Sequence, residues 1–141
     1  MEIKEHAKIL VVAQPHRRTA LLKTLEGRNL QIYLASSFQE ARDKLDSSAA
    51  SYDVLIADVE LPDGSWQDLL SCLLDIKRPC EMIVCSRCGD ERLWAEVLQC
   101  GAYDLLVEPF EKQEVHRIIE NALDSQYMRR FCQMATSAKA S

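Results

Sequence analysis

Four polar side chains of this 141-residue chain each directly follow a short apolar run. They are Gln14, Asp58, Ser86 and Glu108, which come after the runs at 9–13, 54–57, 82–85 and 105–107. Carboxylates, amides and hydroxyls are the groups that accept or donate hydrogen bonds to polar ligands and ions. They can form one binding site only if the fold brings the ends of these runs together.

A second candidate for chemistry is the thiol pair Cys85 and Cys88. Thioredoxin-like sites place such a C-x-x-C pair before a helix, because a helix N-terminus lowers a thiol pKa. Here Asp90 and Glu91, not the second cysteine, are expected to open the following helix. A zinc site would need two further ligands, and Cys80 is the nearby candidate. A thiol-redox or metal-binding module that uses Cys85 and Cys88 therefore stays as an alternative.

Short apolar runs alternate with amphipathic stretches along the chain. Runs of this length that are rich in β-branched residues predict buried strands, at 9–12, 30–35, 54–57, 82–85 and 105–107. Apolar residues at helical spacing predict helices between them, at 17–26, 37–46, 65–75, 90–100 and 112–131. Ser37 and Glu40 form a capping box that marks the start of the second helix. The sequence LPDG at 61–64 predicts a turn.

Strands that alternate with helices predict an α/β fold with a doubly wound, five-stranded parallel sheet covered on both faces. In such folds ligands bind beyond the carboxyl ends of the strands, at a topological switch point. The residues that directly follow the strands are therefore the candidate site: Ala13, Gln14, Asp58, Ser86, Arg87 and Glu108.

Size and composition narrow the function classes. A chain of 141 residues predicts a single domain, and its net charge of −5 argues against nucleic acid as a direct ligand. No apolar run approaches the roughly 20 residues of a membrane span, and the charged start of the chain is unlike a signal peptide. We expect a cytoplasmic protein with no membrane partner, whose six cysteines are mostly reduced.

Three segments, each at a predicted strand end, carry a resemblance to a known family: KILVV at 8–12, DVELPDG at 58–64 and GAYDLLVEPF at 101–110. In this order they resemble the CheY-like receiver domains of two-component response regulators. The resemblance covers residues 7–125 and leaves 126–141 as an extension of the last helix, with a disordered tail expected from Thr136 onward. It implies a flavodoxin-like sheet with strand order 2-1-3-4-5.

The resemblance also assigns residue roles. Typical receivers accept a phosphoryl group from a histidine kinase on the aspartate that ends the third strand, which is Asp58 here. Ser86 matches the hydroxyl that contacts the phosphoryl group, and Pro109 matches a proline whose preceding peptide bond is usually cis. A divalent metal, usually Mg²⁺, would be held by Asp58 and by the carbonyl of Glu60.

Five positions depart from the family pattern: Ala13 and Gln14 replace an acidic pair, Arg87 a small residue, Leu105 an aromatic residue and Glu108 a lysine. Phosphoryl transfer to a carboxylate requires charge neutralisation, which Mg²⁺ and lysine normally supply. We therefore expect weakened Mg²⁺ binding and poor or absent phosphorylation. Two ways to compensate for the lost charged residues stay open. Glu108 would replace a lost acidic ligand of a metal that sits away from its usual place, or Arg87 would supply the missing cation. The favoured interpretation is simpler, with Arg87 in solvent and Glu108 at a strand end.

The resulting hypothesis is an atypical receiver domain of a phosphorelay, a signalling module and not an enzyme. It would act by binding a sensor histidine kinase or another signalling protein, and it could form a homodimer through the face built by the fourth helix, fifth strand and fifth helix. Trp94 borders that face, although packing in the core is expected for it. Two further hypotheses stay open: a standard phospho-Asp58 receiver with a compensated metal site, and a purely structural dimerisation module.

Overall fold

The computed structural model describes residues 7–27, 29–47, 51–76 and 80–140. The strands are β1 (Ala7–Val12), β2 (Leu30–Ala35), β3 (Val54–Asp58), β4 (Glu81–Ser86) and β5 (Asp104–Val107). The helices are α1 (Pro15–Leu25), α2 (Phe38–Asp46), α3 (Trp66–Ile76), α4 (Glu91–Gln99) and α5 (Lys112–Ala140). Every predicted strand and helix is present, and apart from the end of the last helix the ends are displaced by only a few residues.

The five strands form one parallel sheet in the order β2-β1-β3-β4-β5. This is the flavodoxin-like topology implied by the sequence, and the prediction of the fold is confirmed. The order of winding reverses between β1 and β3, which is the switch point where such sheets bind ligands. Val12 pairs in register with Ala57, so the residues that follow β1 and β3 emerge side by side.

Both faces of the sheet are covered, which explains why β3 and β4 are buried at every position. One apolar cluster joins the sheet to α2, α3 and α4, and Trp66 is buried in it. The other joins the sheet to α1 and α5 through Leu21, Leu25, Val115 and Ile119. Trp94 was expected in the core but is 51% exposed on α4, because Val97 supplies the buried contact of that short helix.

The turn at 61–64 is also a cap for α2. Asp63 accepts hydrogen bonds from the backbone N–H groups of Phe38 (2.7 Å) and Gln39 (3.0 Å), the first two residues of that helix. The hydroxyl of Ser37 accepts from the N–H of Glu40, as the capping box predicted. One carboxylate therefore ties the loop after β3 to the start of α2.

Replacing Asp63 with Ala should lower the free energy of unfolding by about 1–2 kcal/mol, the usual loss when helix N-terminal donors lose their acceptor. Urea denaturation followed by circular dichroism measures this loss. Asp43→Ala is the matched control, because Asp43 lies exposed on the same helix and, among the described residues, accepts a side-chain bond from Gln39 and none from the backbone. Equal losses in the two variants would contradict the capping role.

The last helix is longer than the sequence predicted. It reaches Ala140, so the tail that was expected to be disordered from Thr136 is helical as far as that residue, and Ser141 lies outside the described residues. Buried Glu81 at the start of β4 anchors the second half of the helix: the hydroxyl of Ser125 donates to it at 2.6 Å, and Arg129 lies 3.2 Å away.

Within the part of the chain that the structure describes, no helix combines the length and the apolar character that crossing a membrane requires.

Candidate functional site

All four polar residues singled out in the sequence lie at the carboxyl edge of the sheet, with Ser86 at the end of β4. Asp58 ends β3, Gln14 follows β1, and Glu108 follows β5. The side chain of Asp58 is completely buried. Its Oδ1 atom accepts a hydrogen bond from the N–H of Glu60 (2.9 Å) and its Oδ2 atom accepts one from the N–H of Gln14 (3.3 Å). Two backbone segments therefore fix the orientation of this carboxylate.

A third donor comes from a residue that the sequence reasoning did not select. Arg17 extends from the first turn of α1, and its Nη1 atom donates to Oδ1 of Asp58 in a buried ion pair. The Nη2 atom lies 3.5 Å from Oε1 of Glu60 and the Nε atom lies 3.6 Å from Oε1 of Glu108. The arginine side chain is 0% exposed. The guanidinium of Arg17 thus links α1 to the end of β3, to the loop after β3 and to the end of β5.

The charge of Arg17 is secure despite its burial. Burial alone lowers the pKa of a guanidinium, but the Asp58 carboxylate and the hydrogen bond to it outweigh this effect, so the pKa of Arg17 rises above its ordinary value. Its Nε atom has no hydrogen-bond partner among the described residues, and its contact with Glu108 is electrostatic only. The site therefore holds a permanent internal cation.

The sequence did contain a signal for Arg17. It precedes Leu21 and Leu25 by four and eight positions, so all three share the helical face that is buried against the sheet. A charged residue in such an apolar stripe needs a partner of opposite charge. A cation in the first turn of a helix is also disfavoured by the helix dipole, which adds to the reason for seeking a carboxylate nearby.

Ser86 is buried at the end of β4, but its hydroxyl is engaged within its own loop. The Oγ atom donates to the carbonyl of Cys88 at 2.7 Å and accepts from the N–H of Cys88 at 3.2 Å. Arg87 is exposed, so its position does not support the hypothesis that it supplies the missing cation. The cation that contacts Asp58 is Arg17.

The segment after β5 matches the expected geometry in part. The peptide bond between Glu108 and Pro109 is cis, the geometry that the resemblance implied. The side chain of Glu108 is 26% exposed and faces Arg17, so it does more than end a strand. Leu105 is buried in the core on β5, where the family has an aromatic residue.

The residues present do not fit a Mg²⁺ site of the standard kind, which needs several oxygen ligands that include carboxylates. Ala13 offers no ligand atom. The side-chain amide of Gln14 donates to the carbonyl of Glu60 at 3.1 Å, so the backbone oxygen that would bind the metal already has a partner. Asp58 is paired with Arg17. Across residues 7–27, 29–47, 51–76 and 80–140, no three His, Cys, Asp or Glu residues are grouped to hold a metal.

The thiols near the site lack the properties of a redox centre. Cys85 is fully buried on β4, and burial, followed by the nearby Asp58 carboxylate, raises its pKa well above the ordinary value. Cys88 lies exposed in the following loop. A redox-active pair needs a thiol with a lowered pKa, because the thiolate is the nucleophile. Cys85 has the opposite property.

Comparison with known proteins agrees with this architecture. The sequence model of the response regulator receiver domain matches residues 9–120. The response regulator protein PilR of Pseudomonas aeruginosa is 26% identical over 115 residues, which cover 82% of this chain and 25% of PilR. The chain spans the same share, 25%, of the C4-dicarboxylate transport transcriptional regulatory protein DctD of that organism. This chain is thus much shorter than these relatives.

Two solved structures extend the likeness to three dimensions. A CheY-like receiver domain protein from Methanospirillum hungatei JF-1 superposes with a TM-score of 0.76 at 18% identity, covering 89% of this chain and 99% of the other. A response regulator receiver domain protein from Clostridium thermocellum gives a TM-score of 0.73 at 26% identity, covering 86% and 98%. The chain belongs to the response regulator receiver domain family.

Proposed function

We propose that this chain is an atypical receiver domain, occupying residues 7–125, that signals through protein–protein contacts with weak or absent phosphorylation of Asp58. The observation that carries the proposal is the buried ion pair between Asp58 and Arg17. In this pair Arg17 supplies, from within the domain, the positive charge that a standard receiver takes from a bound metal ion and a lysine.

The ion pair hinders phosphoryl transfer because the attacking carboxylate oxygen must be free. Ionised Asp58 has about four acceptor positions, and three are already taken by Arg17 and the backbone N–H groups of Gln14 and Glu60. The side chain is also completely buried. A phosphoryl donor could reach it only if Arg17 moved away, which would leave a buried charge without its partner.

The standard alternative, a phospho-Asp58 receiver with a compensated metal site, uses the same residues. In it Arg17 would turn toward the phosphoryl group, while Glu108 and Glu60 would help to hold a displaced Mg²⁺. The donation from Gln14 to the Glu60 carbonyl and the direct contact between Arg17 and Asp58 both oppose that arrangement. We therefore favour the metal-independent interpretation.

Beryllofluoride, a phosphoryl mimic that binds receiver aspartates together with Mg²⁺, tests the proposal. We expect the backbone amide spectrum of the ¹⁵N-labelled protein to stay unchanged when millimolar Mg²⁺ and beryllofluoride are added. Asp58→Asn is the control and should behave identically. Shifts at the amides of Gln14 and Glu60 in the original protein that vanish in Asp58→Asn would instead establish the standard phosphoacceptor.

The partner in this proposal is a sensor histidine kinase or another signalling protein in the cytoplasm. A candidate contact surface is the face formed by α4, β5 and α5, which could also join two copies of the chain. Trp94 lines an open groove of about 520 Å³ there, together with Leu105 and Val107. The net charge of −5 argues against direct binding of nucleic acid.

The thiol alternative makes a distinct prediction. At mildly alkaline pH we expect exposed Cys88 and Cys100 to react with a disulfide reagent, while Cys80 and Cys85 react only after denaturation. Burial raises the pKa of Cys80 to about 12, and a shift of that size lowers the thiolate fraction roughly 10³-fold. Mass spectrometry of labelled peptides identifies the reactive sites. Rapid labelling of Cys85 in the folded protein would favour the redox module.

A further inference from the structure

One possible connection from Asp58 to α4 runs through Ser86 and the loop after β4. Ser86 matches the hydroxyl that contacts the phosphoryl group in the family, but here its Oγ atom both donates to and accepts from Cys88. The loop is also closely packed: a Cβ atom added to Gly89 would lie 2.5 Å from Cγ2 of Val107 on β5. Because the hydroxyl is already engaged and its loop is closely packed, this segment is poorly suited to report a change at Asp58.

Arg17 provides a different connection. Of the three donors to Asp58 among the described residues, it alone is a side chain, and it belongs to α1. Its guanidinium loses its closest counter-charge if the charge of Asp58 is removed, and the carboxylates of Glu60 and Glu108 lie at 3.5 Å and 3.6 Å. Because Arg17 is fully buried, the loss of the Asp58 charge would leave the guanidinium away from water with weaker counter-charges, which favours a movement of the helix turn that carries it.

The helix α1 is in turn bound to α5. Leu21 and Leu25 pack in the same apolar cluster as Val115 and Ile119 of α5. The Nε2 atom of His116 on α5 donates to the carbonyl of Thr24 on α1 at 2.6 Å. A shift or rotation of α1 would therefore change the geometry of this hydrogen bond, which lies near the opposite end of α1 from Arg17.

We propose that Arg17 makes α1 the sensing element of this domain, so that a change in the charge of Asp58 is transmitted to the α1–α5 surface and not to α4. This inference deepens the proposed function and rests on it only in part, because it concerns the response to any change of charge at Asp58, whatever causes that change. A partner bound to the α4–β5–α5 face would then sense the site through α5, which packs against α1, and not through α4.

The test uses two reporters in the ¹⁵N-labelled protein, the ring nitrogens of His116 for the α1–α5 contact and the indole N–H of Trp94 for α4. In Asp58→Asn we expect the His116 and Thr24 signals to shift roughly twofold or more further than the Trp94 signal, since coupling travels through packed, contiguous groups. Arg17→Lys keeps a cation but loses the planar contact, and should produce the same pattern.

Two controls make the outcome decisive. Ser86→Ala should shift signals near Cys88 and leave His116 unchanged. Asp53→Asn removes a carboxylate at the opposite end of β3, where Asp53 accepts from the N–H of Lys8, and should not shift His116 as Asp58→Asn does. A larger shift at Trp94 than at His116, or equal effects of Asp53→Asn and Asp58→Asn on His116, would overturn the inference.

This experiment and the beryllofluoride experiment can fail separately. Binding of beryllofluoride would remove the proposal of an unphosphorylated receiver, yet the pattern in Asp58→Asn would still identify the responding helices. Conversely, a Trp94-centred response would overturn the role of α1 while the absence of beryllofluoride binding still supported the proposed function.

Discussion

Replacing Arg17 with Met lowers the free energy of unfolding by about 3–5 kcal/mol, because the substitution leaves the carboxylate of Asp58 buried without its counter-charge. Asp58 is 0% exposed and keeps only the two backbone donors. Methionine fills much of the volume of the arginine stem, so the loss reflects the unpaired charge more than a cavity. For a domain whose total stability is about 5–15 kcal/mol, this is a large fraction. Urea denaturation followed by circular dichroism measures it.

Arg18→Met is the matched control for this prediction. Arg18 is the next residue on α1 and donates to the Oγ atom of Ser36 at 2.9 Å, but it remains partly exposed. We expect that variant to lose only about 0.5–1.5 kcal/mol, the net contribution of an ordinary hydrogen bond.

A double variant separates the ion pair from packing. Arg17→Met combined with Asp58→Asn removes both charges, so it should be more stable than Arg17→Met alone. A loss for Arg17→Met no greater than that for Arg18→Met, or no recovery in the double variant, would show that the pair is not the main stabilising contact of the site.

Removing the buried cation and restoring two family residues near Asp58 should create phosphorylation. In the triple variant Arg17→Met, Gln14→Asp and Glu108→Lys, the carboxylate is released, a metal ligand is added and a cation stands where Glu108 was. We expect acetyl phosphate to modify Asp58 at least about 10²-fold faster in Mg²⁺ than it modifies the original chain, since a single stabilising group for developing charge contributes that much or more. Intact-protein mass spectrometry follows the added phosphoryl group.

The same triple variant with Asp58→Asn is the control for specificity and should gain no phosphoryl group. Removal of Mg²⁺ by a chelator should abolish the reaction, because Asp58 and the introduced aspartate are meant to hold the ion. Thermal denaturation confirms that each variant is folded. If a folded triple variant is modified no faster than the original chain, the departures at 14, 17 and 108 do not explain the proposed loss of phosphorylation.

The sequence by itself determined the fold and the placement of the aspartate. Apolar runs of three to six residues, separated by amphipathic stretches, leave few arrangements other than a parallel sheet covered on both faces. The carboxyl ends of parallel strands lie at one edge, so Gln14, Asp58 and Glu108 had to approach one another. The family resemblance around Pro109 also implied the cis peptide bond that the structure contains.

The contacts made by long polar side chains were decided by the tertiary structure. Arg17 and Arg87 are both arginines near the site, yet one is fully buried against Asp58 and the other is exposed. The difference arises from the packing of α1 on the sheet, which directs Arg17 inward, whereas the loop after β4 directs Arg87 outward. Local sequence specifies where a residue lies on its helix or loop, but the partner of a flexible side chain depends on how separate elements dock. The docking of α1 on the sheet places the Arg17 cation against Asp58. The departures from the family sequence pattern had suggested only that charged groups were lost there.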